Sequence, residues 1–171
     1  MALIKNGRLT ADRWHLYEDD APLQPDIPAI VSLARFKAER DALLRAHADL
    51  GVRLEPGETP DAIADDLDRL SVIALNFPSF TDGRAYSYAR LLRERHGYKG
   101  EVRAVGNVLR DQYLFMARAG FDAFEVKEGE SAEAFLAATK AVTNAYQRAT
   151  DTRRPIWELR GAQPAIAAAA E

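Results

Sequence analysis

The six residues Val72-Ile73-Ala74-Leu75-Asn76-Phe77 constrain the fold more than any other stretch, because they are apolar but for Asn76. A strand with one wet face alternates polar and apolar residues, whereas a nearly continuous apolar run is what a strand covered on both faces of a parallel sheet requires. Parallel neighbours cannot be joined by a tight hairpin; they need a crossover of about a dozen residues, usually a helix. The chain supplies one directly: Ala85, Tyr88, Ala89 and Leu92 fall at helical spacing, Arg84, Arg90, Arg93 and Arg95 take the other faces, and Gly97 is a stop. The arginine-rich side of this helix, with Lys99, reads as a solvated face, with docking to an acidic partner or a second copy as the alternative.

The same strand-then-helix alternation extends in both directions. Ala29 to Leu33 reads as a strand, followed by a helix carrying Phe36, Leu43, Ala46 and Leu50 and ended by Gly51. Val52-Arg53-Leu54 is the next strand, and Thr59 and Pro60 open a short acidic helix with Ile63, Leu67 and Leu70 on its apolar face. Asp65, Asp66 and Asp68 read as its solvated face. After the central unit come a strand over Glu101 to Val105, a helix with Leu109, Tyr113, Met116 and Ala117, and a strand over Phe121 to Val126. Ser131 caps a last helix bearing Phe135, Ala138, Val142 and Tyr146. Four or five β-then-α units in series predict an α/β fold with right-handed crossovers and a mainly parallel sheet, either open and three-layered or a partial barrel. With 171 residues the chain is too short for eight full units.

Ahead of these units, Ala2 to Lys5 and Arg13 to Tyr17 are short apolar or aromatic runs separated by a segment that opens with Asn6-Gly7, a hairpin dipeptide, so a small antiparallel N-terminal element is expected. Residues 18 to 28 hold three prolines and four acids and read as an exposed connector. Residues 1–150 are thus expected to form a single α/β domain with an N-terminal hairpin. Residues 151–171 are expected to form a C-terminal extension, with Arg153 to Leu159 docking as an edge segment and a disordered alanine-rich tail.

Charge and composition narrow the function classes. Lys+Arg 23 against Asp+Glu 26 gives a formal net charge of -3, which disfavours generic nucleic-acid binding. No apolar run approaches the roughly 18 residues of a membrane span, and the start lacks a signal-like apolar core, so a cytoplasmic protein without membrane partners is expected. The chain has no cysteine, which excludes disulfides, thiolate nucleophiles and Cys-ligated clusters. His15, His47 and His96 lie on separate segments without ligand spacing, so no metal site is expected. No glycine-rich nucleotide fingerprint and no nucleophile elbow is present, and no cofactor is identified by motif.

Ligands of parallel sheets sit beyond the carboxyl ends of the strands. Two polar turns take that position. Thr81, Asp82, Gly83 and Arg84 follow the central strand, with Tyr86 and Ser87 just inside the helix, and Gly106, Asn107, Arg110, Asp111 and Gln112 follow the next strand. Asp82 or Thr81 is expected to cap the first helix and Asn107 the second, with Arg84 and Arg110 making an anion pocket beside them. Phe77 and Phe80 are the candidate pocket walls, core packing being the commoner use of such rings.

The block from Ala74 to Phe124 carries Phe77-Pro78-Ser79-Phe80-Thr81-Asp82-Gly83-Arg84-Ala85-Tyr86-Ser87, Gly97-Tyr98-Lys99-Gly100-Glu101-Val102-Arg103-Ala104-Val105-Gly106, Val108-Leu109-Arg110-Asp111-Gln112 and Gly120-Phe121-Asp122-Ala123-Phe124. With Ile4-Lys5-Asn6-Gly7 and Gly51 to Pro56, it resembles a bacterial family named domain of unknown function 934. Members of that family are labelled oxidoreductases involved in sulfite reduction, from their position beside sulfite reductase genes. The resemblance implies an accessory protein of assimilatory sulfite or sulfate reduction that binds a small anion or sulfite reductase itself. The alternatives are an oxidoreductase using a borrowed cofactor such as flavin, and a non-catalytic homo-oligomeric interaction protein.

Overall fold

The computed structural model describes residues 1–140 and 142–161. Asn6 and Gly7 both take positive φ, 50° and 75°, as a two-residue hairpin turn demands, and they join β1 (Ala2–Lys5) to β2 (Arg8–Thr10). The N-terminal reading placed the next strand, β3 (His15–Leu16), in this antiparallel element, but it does not join the hairpin. It pairs in parallel with β4 (Ala29–Ser32). The units that follow are α1 (Leu33–Ala46), β5 (Leu50–Leu54), a 3-10 helix (Pro60–Arg69), β6 (Val72–Phe77) and α2 (Arg84–Arg90), which is extended by a π-helical turn (Leu91–Arg95). Then come β7 (Glu101–Gly106), a 3-10 turn (Arg110–Gln112) running into α3 (Tyr113–Ala119), β8 (Ala123–Val126), α4 (Ala132–Lys140) and α5 (Ile156–Gly161).

All eight strands form one sheet in the order β2-β1-β8-β7-β6-β5-β4-β3, with β3 to β8 parallel and β1 antiparallel to β8. Strands laid down in sequence order by right-handed crossovers put every crossover helix on one face. Ile73, Leu75 and Phe77 of β6 join Val52, Leu54, Val102, Ala104, Phe124 and Val126 in the main core on that face. The opposite face carries a much smaller apolar cluster, Ile30, Val72, Ala74 and Val105, against which Trp14 packs.

Chain length shows that the sheet is curled. The two outermost strands, β2 and β3, are joined by residues 11–14 alone. Five residue steps reach about 17 Å, while the outer strands of a flat eight-stranded sheet would lie about 34 Å apart at about 4.8 Å per strand. The sheet therefore closes toward a barrel and forms a half-barrel, with residues 11–14 strapped across its concave face. Of the two architectures left open by periodicity, the partial barrel is the one realised.

Several local expectations change for identifiable reasons. The acidic segment is a 3-10 helix, and Thr59 precedes it without a side-chain cap. A three-residue period aligns Pro60, Ile63, Asp66 and Arg69, and each is tied to the scaffold: the first three are buried, and Arg69 donates to the Leu44 carbonyl at 3.1 Å. Asp66 is not a solvated acid, because it accepts both Nε and Nη2 of Arg40 from α1. Arg93 is not solvated either. Its guanidinium donates to the carbonyls of Gly120 (3.0 Å), Tyr98 (2.8 Å) and Gly100 (2.8 Å) and to Asp122 (3.1 Å). Arg90 pairs with Glu94 one turn on, so the helix holds much of its basic charge internally. Ser131 caps α4 by accepting the Ala134 amide at 3.3 Å, but Val142 and Tyr146, read as part of its apolar face, lie outside the helix and are exposed. The segment read as an edge instead forms a single bridge, Ala145 to Pro155, and then turns into α5. The tail beyond residue 161 lies outside the described residues.

Candidate functional site

The turn after β6 is locally self-satisfied. Ser79 Oγ and Thr81 Oγ1 lie 2.9 Å apart, and Asp82 accepts the Arg84 amide at 3.2 Å from the position before the N-cap; the N-cap of α2 is Gly83, without a side-chain cap, so neither Asp82 nor Thr81 takes the capping position expected of it. The same carboxylate takes Arg84 Nε at 3.0 Å and Nη2 at 2.6 Å. These hydrogen bonds from Arg84 hold the Asp82 carboxyl below the ordinary carboxylate range. Arg84 thus serves a local acid, and Gly83 lies exposed between the two.

In the turn after β7, Asn107 is not the second helix cap. Its amide donates to the Phe77 carbonyl at 2.7 Å, and the helical segment begins three residues later behind Leu109. Gln112 joins the two turns, donating to the Phe80 carbonyl at 3.4 Å and accepting the Tyr86 hydroxyl at 3.3 Å. Burial, then the Asp111 charge, raises the Tyr86 pKa. Ser87, Arg110 and Asp111 are exposed, and the Arg110 side chain makes no hydrogen bond or ion pair among the described residues. Phe77 is fully buried, with ring centroids 5.4 Å from Tyr86 and 5.7 Å from Phe121. Phe80 is exposed at the rim.

Gly106 ends β7 with φ +86°, and a Cβ there would lie 2.5 Å from both Asn76 Oδ1 and the Phe77 carbonyl. Gly106→Ala is expected to cost at least about 2 kcal/mol, from left-handed strain plus the backbone clash. Urea unfolding checks it; a loss below half that figure would show that the turn relaxes freely.

Gly106 also lines a hollow of about 420 Å³ on the concave face, together with Asp12, Trp14, His15, Arg53, Asn76, Arg103 and Glu125. The sheet register explains why charges converge there. Across β1, β8, β7, β6, β5 and β4 the paired residues on one level are Lys5, Ala123, Arg103, Ala74, Arg53 and Ser32. Cations alternate with alanines, as in a barrel, where one layer of the interior is filled by side chains from alternate strands. Arg103 is only 2% exposed. It donates to Glu101 at 2.7 Å and, bidentately, to Asp12 of the strap at 2.7 and 3.1 Å, while Lys5 reaches the other Glu101 oxygen at 2.6 Å. Burial opposes the Arg103 charge, but the hydrogen bonds and charges of Asp12 and Glu101 outweigh it and raise the pKa.

Nearer the mouth, Arg53 Nε lies 2.8 Å from Glu55, whose other oxygen accepts the Asn76 amide at 2.6 Å. The Glu125 side chain makes no hydrogen bond or ion pair among the described residues. Asp12, Arg53, Arg103 and Glu125 were not identified as site residues from the sequence. The available signal was the period of two in Glu101-Val102-Arg103 and Arg53-Leu54-Glu55, which places charges at alternate positions of strands that otherwise read as buried. Among the described residues no group of three or more His, Asp or Glu could hold a metal ion, and no helix is long and apolar enough to cross a membrane.

The comparison with protein families returns one described as bacterial protein of unknown function (DUF934), matching residues 51–157. The chain belongs to that family. The DUF934 match spans β5 to the start of α5, and so includes both turns, Arg53, Asn76, Glu101, Arg103 and Glu125, whereas Asp12 and Trp14 precede it. A comparison with curated proteins gave no match.

Proposed function

We propose that this protein binds a small anion within the half-barrel and acts as an accessory protein of assimilatory sulfite or sulfate reduction. The observation that carries the reading is the register of Arg53 and Arg103 on either side of Ala74, facing one hollow. Two strand spacings separate their Cα atoms by about 10 Å, so the two guanidinium forks flank a floor made small by alanine. An oxyanion or carboxylate held between them gains charge-assisted hydrogen bonds in a partly dry setting, where each is worth about twice a neutral bond. Arg53, Asn76 and Gly106 lie near the carboxyl ends of their strands, the end at which parallel barrels place their sites. In this reading the turns Thr81 to Arg84 and Gly106 to Gln112, of which Gly106 lines the hollow, serve as its lip, with Arg110 as the lip's cation. The link to sulfur metabolism rests on the family resemblance alone.

Calorimetry with sulfite, sulfate and phosphate, on the native chain and on Arg53→Met, tests the anion site. Binding that weakens by about tenfold in the variant is expected for the loss of one charged hydrogen-bonding partner. No heat with any of the three anions, no sulfite reductase in affinity purifications and normal growth on sulfate after gene deletion would together end this reading. The hollow's size favours a second reading, an oxidoreductase using a borrowed cofactor such as flavin, because about 420 Å³ exceeds what a small oxyanion fills. Freshly purified protein with a visible absorbance band supports it; colourless protein that leaves added flavin fluorescence unchanged counts against it.

A further inference from the structure

We infer that Asp12 is a built-in stand-in for the ligand's anionic group. It holds the Arg103 fork until an oxyanion or carboxylate displaces it and loosens the strap over the hollow. The inference rests on the anion reading above and names the competitor at that site.

Three features of the strap support it. First, the Asp12 carboxylate meets Arg103 through two N–H···O contacts, the geometry of a bound carboxylate ligand, although Asp12 comes from a loop and not from a barrel strand. Second, its side chain keeps 33% of its exposure while that of Arg103 keeps 2%, so Asp12 can rotate into water and Arg103 cannot follow. An incoming oxyanion then replaces one carboxylate by another charge of the same sign, and Arg103 is never left bare. Third, the remaining strap tethers are slight. Arg13 and Asp49 form an exposed pair at 3.0 Å, of a kind that contributes little, and Trp14 packs only partly buried against the small apolar cluster. Arg53, beyond Ala74, gives an exogenous anion a second cation that Asp12 does not contact.

The chain has two tryptophans, Trp14 on the strap and the exposed Trp157 on α5, so Trp157→Phe makes Trp14 the single reporter. In that background, with ionic strength held by chloride, sulfate and acetate are titrated into the protein and into its Asp12→Asn variant. Asp12→Asn is expected to bind both anions about tenfold or more tightly, the coupling expected when an internal competitor is removed. Saturating the parent is expected to shift Trp14 emission to the red. Equal affinities in the two proteins would overturn the inference while leaving the anion site in place; no binding by either would overturn both. If Asp12→Asn fails to fold, Asp12→Ser is titrated in its place, with the same criteria.

Discussion

Replacing Arg103 by alanine is expected to lower the unfolding free energy by about 3–5 kcal/mol, the cost of breaking a buried ionic network by removing one partner. Arg103 is the member through which the network passes: Lys5 of β1 and Arg103 of β7 share Glu101, and Arg103 alone connects that carboxylate to Asp12 on the strap. Removing it leaves Glu101, 7% exposed, with Lys5 as its only paired cation among the described residues. It also removes the strap's bidentate tie to the concave face, leaving the Arg13–Asp49 pair and the Trp14 packing. Urea unfolding followed by circular dichroism reads the loss. A decrease below about 1 kcal/mol would mean that water screens the network as it screens a surface pair. Arg103→Met combined with Glu101→Leu should recover much of the stability, since apolar side chains of similar volume often replace a buried ion pair at little cost.

The second large effect is expected at Arg93, where alanine should cost about 3–4 kcal/mol and lower Tm by about 10 °C for a chain of this size. One guanidinium satisfies three carbonyls, those of Tyr98, Gly100 and Gly120, together with the Asp122 carboxylate, and it stacks 5.7 Å from the Tyr98 ring centroid. The turn into β7 and the turn into β8 are therefore closed by a single side chain. Asp122 is sensitive to the loss, because burial raises its pKa and the Arg93 charge is the strongest influence that lowers it. Arg93→Lys should recover only part of the stability, because a point cation cannot reach carbonyls on both turns. Differential scanning calorimetry measures the shift; a Tm within about 2 °C of the parent would show that water takes over the carbonyls.

Much of the scaffold was legible because its causes are local. Asn6-Gly7 makes its hairpin through positive φ, Ser131 caps through a hydroxyl that accepts from the amide three residues on, and the apolar run over β6 has the composition of a doubly covered strand. Serial βα units leave only a parallel sheet wound in one sense. The site was legible only in part. Asp82 and Arg84 are close in sequence, so their mutual capture follows from short-range chemistry, and the two polar turns were visible because turns after strands can be seen without knowing the sheet's shape.

The hollow was not legible, because its residues come from β5, β6, β7, β8 and a strap before β3, and their meeting depends on curl and register. Nothing local distinguishes Arg93, which ties two turns together, from Arg90, which pairs with Glu94 on its own helix. By itself, the sequence determined the order of the elements, the parallel winding and the position of the two polar turns after β6 and β7, because each rests on patterns within one strand-turn-helix unit. Tertiary structure alone decided that the sheet closes to a half-barrel, that Lys5, Arg103 and Arg53 share one level, and that Asp12 meets Arg103 from 91 positions away. The reason is that a strand's alternation shows that it has two faces, while only the packed molecule shows what each face meets.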